Sequence, residues 1–129
     1  AESARERYNA AVRSAVLAAG HSLAMVDDFW PLRHLVRLLR ANTGSASEGS
    51  ISTAVRRGSL VAVRYRGPSP QPGVKGPRLL VHCPREVREA RDKDAVLEWL
   101  GGKARQRAAI DRQMEARKRV NAASAEGVD

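Results

Sequence analysis

The sequence predicts an α+β fold that is mostly helical. Three observations carry this. Apolar residues recur at helical spacing over most of the chain. Two short runs, 60–66 and 78–83, have the length and apolar content of strands. Between them residues 67–76 hold three prolines and three glycines, a composition that forms a loop. At 129 residues and 14.0 kDa the chain has the size of one domain with a tail, expected as a domain over 1–100 and a basic helical tail, partly disordered, over 101–129.

The first helix is expected over 2–19, where Tyr8, Val12, Val16 and Ala19 make one stripe and Gly20 stops it. A second helix follows, with Asp27 and Asp28 capping its start and Pro31 in its first turn. Its apolar face is Leu32, Leu35, Val36 and Leu39. Arg33, Arg37 and Arg40 point elsewhere, and Phe29 and Trp30 anchor its mouth. Residues 41–46 read as a turn. Ser47 then caps a short third helix over 48–57 that faces inward with Ile51, Ala54 and Val55 and outward with Ser50, Ser52, Thr53, Arg56 and Arg57. Gly58 is its stop.

In the first strand Val61, Val63 and Tyr65 are expected on one side and Ala62, Arg64 and Arg66 on the other. The second strand is short and mostly apolar. Pro84 opens a fourth helix with Val87 and Ala90 inward, and Asp92 or Asp94 restarts it toward Val96, Leu97, Trp99 and Leu100. Gly101 and Gly102 end it. Residues 103–122 carry a narrow stripe of Ile110, Met114 and Val120, too thin for a buried helix and suited to pairing with a second copy in a homodimer.

Charge narrows the function. The net charge is +9 and the pI about 11.0, which points to a polyanionic partner, nucleic acid first. Residues 51–91 hold nine basic residues against Glu86 and Glu89, and residues 103–119 hold seven against Asp111 and Glu115. No apolar run reaches the roughly 20 residues of a membrane span, so no membrane partner is expected. The amino-terminal stretch lacks the apolar block of a secretory signal. Cys83 is the only cysteine, which excludes an intramolecular disulfide and fits a reducing cytoplasm.

Catalytic patterns fail in turn. His82 and Cys83 are neighbours on a strand, point to opposite faces and cannot share a metal. No His or Cys pair has zinc-finger spacing. Neither Gly44-Ser45 nor Gly101-Gly102-Lys103 completes a phosphate loop. The chain is therefore read as a non-enzyme without cofactor or metal.

The pattern that remains is the order of elements from Leu32 to Arg91: apolar helix, turn, short polar-faced helix, basic strand, Pro/Gly loop, strand, helix. That is the order of a winged helix-turn-helix with a two-stranded wing, preceded here by an extra N-terminal helix. The segment from Ser50 to Arg64, with Arg56-Arg57-Gly58-Ser59-Leu60 at its centre, resembles the excisionase and MerR-like DNA-binding modules, and Pro84-Arg85-Glu86-Val87 is similar to their helix after the wing. The resemblance implies a recognition helix followed by a wing strand, and with it double-stranded DNA binding by a small regulator or recombination accessory factor. Ser50, Ser52, Thr53, Arg56 and Arg57 would reach bases or phosphates from the helix. Arg64, Arg66, Lys75 and Arg78 would hold phosphates from the wing. A second reading is an adaptor or inhibitor whose basic face binds an acidic protein. RNA binding ranks third, because only Tyr65 among the five aromatic residues sits among the basic ones.

Overall fold

The computed structural model describes residues 2–101 and 114–120. Helix α1 runs Ala4–Ala18, and its N-cap Ser3 accepts the Glu6 N–H at 3.1 Å. A 3-10 turn, Leu23–Asp28, leads into strand β1, Phe29–Pro31. Helices α2, Leu32–Thr43, and α3, Glu48–Arg56, follow. Strands β2, Ala62–Arg64, and β3, Leu79–His82, are joined by the long loop. Two short helices, α4 over Arg85–Glu89 and α5 over Lys93–Trp99, complete the order. Asp92 caps α5 by accepting the Asp94 N–H at 3.0 Å, as its sequence position implies.

The strands form one antiparallel sheet in the order β1-β3-β2. Phe29 pairs with His82 and Pro31 with Leu80. On the other side of β3, Ala62 pairs with Val81 and Arg64 with Leu79. Cys83 extends the β1 side by donating its N–H to the Asp28 carbonyl at 2.8 Å, and Tyr65 extends the β2 side by donating to the Arg78 carbonyl at 2.9 Å.

Because side chains alternate along a strand, the sheet has two apolar faces and each is covered. Phe29, Val63, Tyr65 and Leu80 pack against Tyr8, Val12 and Val16 of α1, with the Tyr8 and Tyr65 rings edge to face at 5.8 Å. Val81 and Cys83 on the opposite face pack with Leu35, Val36, Leu39, Ile51, Ala54, Leu60 and Val96. Burial of each Leu or Ile there contributes roughly 1.5–3 kcal/mol.

A polar brace ties α4 to the sheet and α2. Arg88 donates through Nη1 to Asp28 Oδ1 at 2.7 Å and to the Cys83 carbonyl at 2.6 Å, and its guanidinium lies 5.2 Å from the Trp30 ring centroid. The Arg88 carbonyl accepts from Asn42 Nδ2 at 2.7 Å, and Asn42 Oδ1 accepts from Arg91 at 2.8 Å.

Several sequence expectations need correction. The sheet has three strands rather than two, because Phe29–Pro31 pairs with β3. The second helix begins at Leu32, after that strand, so Pro31 precedes it and Asp28 is a partner of Arg88 rather than a cap. The extra N-terminal helix, expected within the 1–100 domain, supplies one wall of the core. Ala19 is exposed past the helix end. Val61 is 45% exposed, since it precedes the β2 ladder and joins neither apolar cluster. Of the expected tail helix, Ile110 lies outside the described residues. Residues 114–120 are helical, with Met114 and Val120 exposed.

Candidate nucleic-acid interface

Helix α3 is positioned by its two ends and its inner face. Ser47 Oγ accepts the Ser50 N–H at 3.1 Å and donates to the Ser50 hydroxyl at 2.8 Å, which fixes the first turn. Arg40 Nε donates to the Ala46 carbonyl at 2.6 Å, bracing the turn between α2 and α3. Ile51 and Ala54 are buried against α2 and lock the rotation of the helix. At its far end Gly58 takes a left-handed φ of +77°, which a side chain would disfavour. Ser59 and Leu60 then donate back to the Ala54 carbonyl at 2.9 and 3.4 Å, and Leu60 enters the same cluster as Ala54. The chain thus turns directly from α3 into β2.

This geometry settles where each candidate residue lies. Ser50 is exposed in the first turn of α3, Ser52 and Thr53 are half-buried, and Arg56 and Arg57 are exposed at its end. Arg56 Nη2 makes a long 3.4 Å bond to Thr53 Oγ1. Arg64, Arg66, Lys75 and Arg78 are all exposed on β2, the loop and the approach to β3. The register divides them. Arg64 lies opposite Leu79, on the sheet face toward α2 and α3, and alternation carries Arg66 to that side while Tyr65 is buried toward α1. Arg78 lies opposite Tyr65 and so falls to the α1 side. Arg64 and Arg66 therefore lie on the sheet face that α2 and α3 cover, and Arg78 lies on the other.

The loop is anchored at its base. The Tyr65 hydroxyl donates to the Pro68 carbonyl at 2.6 Å. A Cβ at Gly67 would fall 2.5 Å from that hydroxyl, so only glycine fits beneath it. Burial raises the Tyr65 hydroxyl pKa above its ordinary value, so the phenol stays protonated and able to donate.

Arg56, Arg57, Arg64, Arg66, Lys75 and Arg78 have no ion-pair partner among the described residues, whereas Arg33, Arg85 and Arg88 are paired with Glu48, Glu89 and Asp28. Unpaired, exposed cations gathered on one helix end and one hairpin can neutralise phosphates without first breaking internal pairs. No family model, curated protein sequence or solved structure matches this chain.

No group of three or more His, Cys, Asp or Glu side chains that could hold a metal occurs among the described residues. His82 turns to the Phe29 ring at 5.2 Å on the α1 face, and Cys83 is buried on the other. No helix among the described residues is long and apolar enough to cross a membrane. Sequence reasoning overlooked Arg37 on α2, which is exposed and without an ion-pair partner among the described residues. Its signal was the spacing of Arg33, Arg37 and Arg40 along one side of the helix.

Proposed function

We propose that the chain is a winged helix-turn-helix protein that binds double-stranded DNA, with α3 as recognition helix and the β2–β3 hairpin as wing. The observation that carries this reading is the placement of cations that have no ion-pair partner among the described residues. Arg56 and Arg57 end α3, and Arg64 and Arg66 follow on the adjoining strand, on the same side of the sheet. The element order supports it: two helices, a strand, a long loop and a return strand that sits in the middle of the sheet. Helix α3 is short and carries Ser50, Ser52 and Thr53, side chains small enough to let it approach base edges. The hairpin cations hold phosphates and set the register of the helix. In this reading the protein acts as a small regulator or recombination accessory factor without catalysis.

The test is duplex binding across a salt series. Each lost phosphate contact lowers the log–log salt slope by about 0.9. Arg64→Ala with Arg66→Ala is expected to weaken all duplexes alike and to flatten the slope by about 1.8, two such contacts. Unchanged affinity and slope would remove the hairpin from the interface.

A further inference from the structure

The two edges of the sheet differ in what their backbones offer. In β1, Trp30 pairs with Val81 and the Asp28 carbonyl accepts the Cys83 N–H, so Phe29 and Pro31 turn their backbone groups outward. The Phe29 N–H already donates to the Val26 carbonyl, and proline has no N–H. The outer edge of β1 therefore offers no donor to another strand. In β2 the Val61 carbonyl accepts the His82 N–H and the Tyr65 N–H donates to the Arg78 carbonyl, both at 2.9 Å. Val63, between them, pairs with Leu80 and bonds toward β3 as well. The N–H and C=O groups of Ala62 and Arg64 thus point away from the sheet, with no hydrogen-bond partner among the described residues. Beside this open edge stand two exposed cations, Arg64 and Arg66, and the exposed Val61, which joins neither apolar cluster.

We propose that the free edge of β2 receives an extended acidic strand of a partner protein, which covers Arg64 and Arg66. The backbone makes the occupant a polypeptide. The open edge presents donors and acceptors in turn, and an added strand answers both, whereas a phosphate chain supplies acceptors alone. The side chains set its sequence. Residues of the added strand opposite Arg64 and Arg66 are two apart and share the face of those arginines, so they are acidic: opposite charges across strands attract and like charges repel. The residue between them falls on the side of Val61 and is apolar. A second copy is a poor occupant, because two β2 strands side by side would bring their arginines together, which is how a charged edge resists self-association. The docking itself does not need the DNA reading, but its consequence rests on it. There Arg64 and Arg66 hold phosphates, so the strand and a duplex exclude each other and the partner inhibits DNA binding.

The experiment uses the full chain and a short synthetic peptide of alternating glutamate and valine. A control peptide has the same composition with its glutamates in one block and its valines in another. Fluorescence anisotropy measures affinity, amide hydrogen exchange by NMR reads the edge, and a labelled random duplex reads competition. The alternating peptide is expected to bind at least tenfold more tightly than the control, to slow exchange of the Ala62 and Arg64 amides at least tenfold at saturation, and to displace the duplex. Arg64→Ala with Arg66→Ala should lower its affinity at least tenfold. Ala62→Pro removes one outward donor and keeps both cations, a change that an outward-facing edge position accepts. It should weaken the peptide at least fivefold and the duplex less than twofold. Thermal unfolding checks both variants, and exchange in the parent chain decides the matter if Ala62→Pro does not fold. Equal binding of the two peptides, no binding of either, or fast exchange of both amides in the saturated complex overturns the proposal. A parent chain that binds the peptide but no duplex keeps the docking site and removes the DNA reading. A duplex that stays bound beside the peptide removes the inhibition alone.

Discussion

Cys83 shows how a single side chain records the fold. It is completely buried between the sheet and the α2–α5 helices. Burial pushes its thiol up to about 12, with the nearby Arg88 charge pulling down and Asp28 pushing up by less. The thiolate, the reactive form, is therefore excluded from the native protein near neutral pH. The stability consequence has a definite sign. A raised value means that the folded chain keeps its proton where the unfolded chain has lost it, so stability is full below the ordinary thiol value of 9.0 and falls as pH rises toward about 12. The loss is at most about 1.4 kcal/mol per pH unit. Tyr8 and Tyr65, also raised by burial, act in the same direction at higher pH. Urea unfolding at pH 8 to 11 is expected to show a shallower alkaline decline for Cys83→Ala than for the parent; equal slopes would mean that the thiol is solvated. That Cys83 and His82 face opposite ways was legible in the sequence, because strand alternation is local. That Asp28 reaches Arg88 was not, because it needs the 3-10 turn and α4 brought together across sixty residues of chain.

At the scale of elements, what was legible had its causes close by in sequence. The inner face of α3 follows from Ile51 and Ala54 at helical spacing, and its start from the Ser47 cap. The stripe Tyr8, Val12 and Val16 marked α1 for the same reason. Strand β1 escaped because three residues ending in proline have no period to read, and their extended form is imposed by pairing with β3. Val61 escaped because alternation gives a side but does not say whether that side is covered. The candidate site was legible as a list of basic residues; its division, with Arg78 on the α1 side, required the register. Helix α3 carries its own prediction. Arg56 and Arg57 end it and are unpaired among the described residues, where a guanidinium can reach guanine with two hydrogen bonds. Substituting the one that reads guanine by alanine is expected to cost about 1–3 kcal/mol at a single base position and to relax preference there. Selection from random duplexes before and after substitution measures this, and identical preferences would remove base reading from α3.

At the scale of the whole molecule, charge and core divide the chain differently. The two apolar clusters among the described residues draw on positions from Tyr8 to Leu100. The basic residues extend further, with seven between 103 and 119. Met114 and Val120 are 54% and 64% exposed on the helical segment 114–120, joining neither cluster. Exposed apolar side chains on a largely charged helix are a route to association with a second copy. Cutting after Gly102 should therefore leave the thermal midpoint close to that of the full chain, because every described member of either cluster is kept. Duplex affinity should fall and the salt slope flatten, because counterion release scales with the cations that reach phosphate. Light scattering should give a dimer for the full chain and a monomer for the shortened one. The two halves of this expectation separate cleanly. A shortened chain that unfolds or aggregates would show that the tail packs into the domain and that the glycine pair is not its boundary. A shortened chain that folds and binds DNA at full strength would confine the interface to α3 and the hairpin.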